Sequence, residues 1–269
     1  MSDFMRPHPT GQVAFAFVLA LGSLAGSTTQ SQALENIYRT EISQLIWAAP
    51  PNPPDQGSPV GRRQGGASRG PCRDYASLLA LMPLNAGKVW GTTVSDRPTF
   101  WFYLPTSSTS TSVEFVVQDS NDNYVYKTAF DAPSSPSGIV SVSIPSTAPA
   151  LEVNKTYSWT FSVSCEATRP SSAVYVQGQI YRTAISEDLQ RRIAAAPPLE
   201  QAALYAANGV WQDSLTLLAH LRQNNPPTPA LETAWNQLLQ QADLGDIAPS
   251  PLISCCSPEN TLSNASIRP

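Results

Sequence analysis

Residues 95–130 read SDRPTFWFYLPTSSTSTSVEFVVQDSNDNYVYKTAF. Two polar turns divide this stretch into three runs. Thr99 to Leu104 carries Phe100, Phe102 and Leu104 at alternate positions, with Trp101 and Tyr103 between them. Val113, Phe115 and Val117 share one side of the second run, and Tyr124, Tyr126 and Phe130 one side of the third. Side chains of a strand alternate between faces, so the spacing predicts three strands that supply the aromatic half of a sheet-on-sheet core.

Further strands flank this centre. Downstream, Val140, Val142 and Ile144 alternate with Ser141 and Ser143. In Thr156 to Cys165, Tyr157, Trp159, Phe161, Val163 and Cys165 face one way and Ser158, Thr160, Ser162 and Ser164 the other. That is the period-two pattern of a half-buried antiparallel strand. Ala173 to Arg182 closes the set, with Gly178 reading as a bulge. Upstream, Tyr75 to Met82 reads as a strand or single helical turn and Val89 to Val94 as a strand. The heptapeptide LEVNKTY, Leu151 to Tyr157, resembles the turn before the sixth strand of fibronectin type III domains, where a tyrosine bonds back to the backbone as a "tyrosine corner". Asn154 stands where glycine is usual.

From Ile185 the period changes. Ser186 with Glu187 and Asp188 opens a helix that Pro197 stops. Pro198 to Ala207 reads as a second helix ended by Asn208-Gly209, Trp211 to Gln223 as a third, and a fourth starts at Thr228-Pro229. The stretch LYAANGVWQDSLTLLAHLRQNNP looks like the centre of one tetratricopeptide hairpin, with no second copy in the chain. The fold class expected is mainly β with an α-helical C-terminal part: an immunoglobulin/fibronectin-III-like antiparallel β-sandwich packed with about four helices.

The ends carry different signals. Arg6, an apolar run from Val13 to Leu24 and the small-x-small site Ser31-Gln32-Ala33 have the layout of a secretory signal peptide. The expected organisation is therefore a signal peptide over 1–33, a Pro/Gly/Arg-rich linker over 34–73, a β-sandwich over 74–184, helices over 185–245 and a disordered tail over 246–269. Export predicts a periplasmic or extracellular protein with no transmembrane segment after cleavage. An oxidising compartment makes cysteine pairing reasonable. Cys72 with Cys165 is the preferred pair, because both lie at the edges of the β region. Cys255 and Cys256 either pair with each other, stay free or link chains.

These segments together resemble a family known as domain of unknown function 928, found in cyanobacteria. The residues that carry the likeness are GRRQGGASRGPC, SDRPTFWFYLP, VEFVVQDSNDNYVYKTAF, PALEVNKTYSWTFSVSC and LYAANGVWQDSLTLLAHLR. The resemblance implies export, a β region and a helical tail, and supplies no activity or catalytic residue.

Catalytic equipment is sparse in the sequence. The net charge of −4 argues against a nucleic-acid partner. Of two histidines, His8 lies in the leader and His220 on a helix among leucines, where a surface position is expected. Asp119-Ser-Asn-Asp-Asn123 opens like a calcium loop, but Tyr124 and Phe130 replace the required Gly and Glu, so a hairpin turn is expected. No cofactor or metal is expected. Asp96, Glu114 and Asp119 leave open a glycosidase working with carboxylates alone, with Glu114 read as a solvent-facing strand residue. Arg62 and Arg63 in the linker, with Trp101 and Tyr103 if the helices leave them uncovered, form the candidate binding surface. The expected function is an exported cell-envelope module, non-enzymatic, that binds or assembles with an envelope protein or polysaccharide; the alternative is a carboxylate-dependent envelope carbohydrate-active enzyme.

Overall fold

The computed structural model describes residues 45–51, 61–66, 72–106, 111–132, 137–165 and 173–253. Within them lie nine strands and four α-helices. The strands are β1 (Leu79–Ala80), β2 (Leu84–Asn85), β3 (Lys88–Thr93), β4 (Thr99–Leu104), β5 (Thr111–Gln118), β6 (Tyr124–Ala132), β7 (Gly138–Ser143), β8 (Lys155–Ser164) and β9 (Val174–Arg182). The helices are α1 (Glu187–Ala195), α2 (Pro198–Ala207), α3 (Trp211–Asn224) and α4 (Pro229–Gln240). A 3-10 turn, Arg73–Ser77, precedes β1.

The strands form two sheets, one in the order β1-β4-β7 and one in the order β2-β3-β9-β8-β5-β6. Between them the expected aromatic core forms. Phe100 packs on Phe115 with ring centroids 4.9 Å apart, and Phe102 stacks on Phe161 at 4.0 Å. Phe100, Phe102, Phe115, Trp159 and Phe161 are all nearly or fully excluded from solvent. The architecture is sandwich-like. It is not wholly antiparallel: β3 runs parallel to β9, pairing Trp90 with Gln179 and Thr93 with Arg182. Parallel neighbours need a long crossover, and the chain supplies one by traversing β4 to β8 before it returns beside β3.

The second face of the small sheet is also covered. In β4, Trp101 points away from the sandwich core yet is only 2% exposed. Helix α3 lies over it: the Trp101 indole N–H donates to Thr216 Oγ1 at 3.0 Å, and the His220 ring sits edge-on to it. A strand buried on both faces carries bulky residues at consecutive positions, which accounts for the TFWFYL run. The helix ends follow their sequence signals. Ser186 Oγ accepts from Leu189 N–H at 3.2 Å, and Thr228 Oγ1 from Leu231 N–H at 3.3 Å.

Three expectations need correcting. The segment 34–73 is not solvated linker throughout. Leu45 is buried, Ala48 N–H donates to Ala206 O, and Asn85 donates through Nδ2 to Pro50 O. Residues 61–66 cross between the sheets, with Arg62 paired to Gln177 and Gln64 to Leu79. The tail is ordered further than expected: Leu252 bridges Ile139, and Trp235 donates its indole N–H to Ala248 O. Gly178 is not a bulge, because its register opposite Trp159 is unbroken. A Cβ there would stand 2.6 Å from Trp159 Cζ2 and 2.7 Å from Val89 O, so glycine makes room for the indole. The leader and Cys255-Cys256 lie outside the described residues.

The predicted disulfide is present. Cys72 and Cys165 are bonded with Cα atoms 5.4 Å apart, across 93 residues of sequence. Leu151 is buried and Asn154 takes φ of +63°. The hydroxyl of Tyr157 accepts from Glu152 N–H at 2.8 Å, as a tyrosine corner does.

Gly178→Ala is expected to lower stability by about 1–3 kcal/mol, through overpacking. An unstrained Gly→Ala change instead stabilises by limiting the unfolded chain. Urea unfolding gives the sign: a neutral or stabilising result contradicts the close approach of Trp159.

Candidate functional site

A cleft of about 250 Å³ opens where the β3–β4 connection meets α2 and α3. Ser95, Arg97 and Thr99 line one wall, and Tyr205, Asp213 and His220 the other. Its size is somewhat below the usual range of ligand pockets, which suits a small polar molecule or one residue of a longer chain.

Asp213 organises the cleft. It stands in the first turn of α3, where the helix dipole favours an anion. Asp213 Oδ2 accepts from Thr93 Oγ1 at 2.7 Å and from Val94 N–H at 3.1 Å. Thr93 Oγ1 in turn accepts from Ser95 N–H, and Ser95 Oγ from Arg97 N–H. One carboxylate thus fixes the β3–β4 connection against the helix. Burial pushes the Asp213 carboxyl pKa up, against the pull of these hydrogen bonds. The neighbouring Tyr205 hydroxyl is raised, first by its own burial and then by the Asp213 charge.

Two lining residues carry buried polar atoms with no hydrogen-bond partner among the described residues. They are Arg97 Nε, a donor, and Gln212 Oε1, an acceptor. The Arg97 guanidinium otherwise pairs with Asp96 at 2.8 Å and donates to Ala148 O. Gln212 donates through Nε2 to Thr99 O. His220 is half-exposed, and burial lowers its pKa, so its imidazole is neutral near pH 7. The Asp213 carboxylate is engaged by Thr93 and Val94 rather than by His220, so the two do not make the acid–histidine pair that nucleophilic catalysis asks for.

The candidate surface read from the sequence does not come together. Trp101 is covered by α3 and Tyr103 is half-buried against the core. Arg63 reaches the end of α4, donating to Ala242 O at 2.6 Å and Asp243 O at 3.4 Å, where a cation satisfies exposed carbonyls. Burial lowers its pKa and Asp243 opposes that. Arg62 is exposed, with its guanidinium 4.8 Å over the Tyr175 ring. The tetratricopeptide-like hairpin turns its apolar face into the chain itself, with Trp211 and Leu215 fully buried.

The other acids have local partners. Glu114 pairs with Lys127 at 2.8 Å on the exposed face of the large sheet. Asp119 accepts from Asn123 Nδ2 and from the Asn121 and Asn123 amides, which hold its carboxyl below its usual range. That is an Asx-type hairpin turn. Among the described residues no three His, Cys, Asp or Glu side chains stand close enough to share a metal ion. No helix among them is long and apolar enough to cross a membrane.

With fold and cleft described, the comparisons place the chain. The family model described as Domain of Unknown Function (DUF928) matches residues 64–252, more than half of the chain, and the chain belongs to that family. No curated protein matches it. Two solved structures of the β-glucuronidase of Parabacteroides merdae, one with glycerol in its active site, are similar at 9% and 11% identity. They cover 59% and 58% of this chain, with a TM-score of 0.24 in each case. The chain spans 27% and 25% of those enzymes, and so slight a likeness carries no argument about fold or activity.

The pH dependence of stability checks the role of Asp213. Its folded pKa is raised, so the folded chain holds that proton more tightly than the unfolded chain does. The resulting stabilisation is complete below the ordinary carboxyl pKa of about 4 and is lost as pH rises through the folded value. Asp213→Asn keeps an acceptor for Val94 N–H and lacks that loss. Its Tm relative to the wild type is expected to improve as pH rises from about 4 and to level off once pH passes the raised folded pKa of Asp213. Asp213→Ala leaves Val94 N–H unpaired and is expected to cost about 1–3 kcal/mol. A pH-independent Asn difference contradicts the assignment.

Proposed function

We propose that this protein is an exported, non-enzymatic module of the cell envelope, built on an immunoglobulin/fibronectin-III-like sandwich, that binds or assembles with an envelope protein or polysaccharide. The Cys72–Cys165 disulfide carries the reading, because such bonds persist in oxidising compartments and are rare in the cytosol. The apolar leader with its Ser31-Gln32-Ala33 site agrees with it. The sandwich type is supported by the antiparallel pairings within β1-β4-β7 and β9-β8-β5-β6 and by the tyrosine-corner bond from Glu152 N–H to Tyr157. The cleft beside Asp213 is the proposed ligand seat. Its donor and acceptor lining suits a hydroxyl-rich or zwitterionic group better than an apolar one.

The glycosidase alternative needs two carboxylates facing one another across a cleft. Asp213 is the one carboxylate among the described residues lining this cleft, and it is held by Thr93 and Val94. No observation here favours that alternative over a binding role.

Peptide-level mass spectrometry of the protein from its native cells, unreduced and then reduced, tests the reading. The expected result is a chain beginning at Leu34 with Cys72 linked to Cys165. A chain beginning at Met1 with both thiols reduced overturns it. So does robust hydrolase turnover by the purified protein that a single carboxylate substitution abolishes.

A further inference from the structure

Sheet edges are pairing hazards that proteins cover, shorten or use. Three of the edges here are covered or cut short. The outer side of β7 pairs with the chain's own C-terminal segment: Ile139 N–H donates to Pro251 O and Ile253 N–H to Ile139 O, each at 2.8 Å. The outer side of β1 pairs with residues 63–65, through Gly65 N–H to Leu78 O and Ala80 N–H to Arg63 O. At one end of the large sheet, β2 has two residues, and Arg62 pairs with Gln177 beyond β3. The other end is β6, a nine-residue strand with β5 as its neighbour in the sheet and no strand beyond it among the described residues.

The residues of β6 suit a copy of themselves. Val116 lies opposite Lys127 and Glu114 opposite Ala129, which places Lys127, Ala129 and Asp131 on the solvent face. All three are exposed. In an antiparallel pair of β6 strands centred on Ala129, Lys127 of each copy falls opposite Asp131 of the other. Thr128 then falls opposite Phe130, and Tyr126 opposite Ala132, so the paired stretch stays within the strand. A lone edge lysine deters pairing, because it meets its own charge or none. Here Asp131, four residues on, makes the edge self-complementary, and opposite charges directly across a pair favour it. Glu114 at 2.8 Å leaves donor hydrogens of the Lys127 ammonium for a second carboxylate.

We propose that β6 pairs antiparallel with β6 of a second copy of this chain about a two-fold axis at Ala129, joining two large sheets into one. The closed, isologous form of such a contact limits it to a dimer. The inference needs neither export nor a ligand in the cleft, so its failure leaves the proposed function standing.

The test uses the full chain with Cys255→Ser and Cys256→Ser. Residues directly opposite in an antiparallel pair have Cα atoms about 4.5 or 5.5 Å apart, within disulfide reach. Under mild oxidation Ala129→Cys is expected to give a covalent dimer. Lys127→Cys and Asp131→Cys are each expected to give none alone and a linked dimer when mixed. In sedimentation experiments without added cysteines, Asp131→Lys sets two lysine pairs face to face and is expected to weaken the dimer about tenfold or more. Adding Lys127→Asp and Glu114→Gln to Asp131→Lys restores the ion pairs and is expected to restore the dimer. A chain that stays monomeric at about 100 μM, where a micromolar contact would be saturated, overturns the proposal. Linkage that ignores position, or a dimer indifferent to Asp131→Lys, overturns it equally.

Discussion

The structure depends on one seam, where α3 lies across the small sheet. A three-stranded sheet with aromatics on both faces cannot leave one face wet. Trp101 from β4 and Trp211 from α3 fill the seam from opposite sides, at 2% and 0% exposure. Each indole N–H crosses it, Trp101 to Thr216 Oγ1 at 3.0 Å and Trp211 to Leu81 O at 2.9 Å. Thr92 donates to Gly209 O and Gln212 to Thr99 O along the same line. Burying an indole without a partner for its N–H is costly. These reciprocal bonds fix the position of the helix as well as its burial.

The rest follows from that placement. Once α3 is seated, Asp213 meets the β3–β4 connection and the cleft forms between them. Helix α4 closes on α3 through Arg222, whose guanidinium pairs with Glu232 at 3.0 Å and stacks 4.8 Å over Trp235. The strand-free segment at 45–51 then lies along the helices, with Leu45 N–H and Trp47 N–H donating to Gln237 and Gln241. The helices and the sandwich therefore share one core.

Much of this was legible in the residues. The alternation of β8, the cap at Ser186, the Leu151–Tyr157 spacing and the pairing of Cys72 with Cys165 are local or pairwise signals, and each has a direct physical meaning. The unread parts have a common cause. Aromatics on both faces of β4 show that two layers are needed, but periodicity does not say what supplies the second. The segments at 45–51 and 61–66 are held largely through their own backbone N–H and C=O groups, with partners such as Gln237, Gln241 and Asn85 far away in the chain, so their Pro and Gly content reads as linker. The parallel β3–β9 pair depends on a partner far away in the chain. Asp213 looks like any acid in a first helical turn, because the groups that bury it come from residues 93–94. The contacts of Arg63 are hidden in the sequence for the same reason, since its acceptors lie at the end of α4.

Native-state hydrogen exchange tests the shared core most directly. If the seam joins helices and sandwich into one cooperative unit, the amides of Leu215 and Leu218 in α3 open with the same free energy as those of Phe161 and Val163 in β8. Denaturant should then raise both sets of rates with the same dependence. A helical layer that exchanges by its own lower-energy opening, while β8 stays protected, would show two separable units and contradict the account.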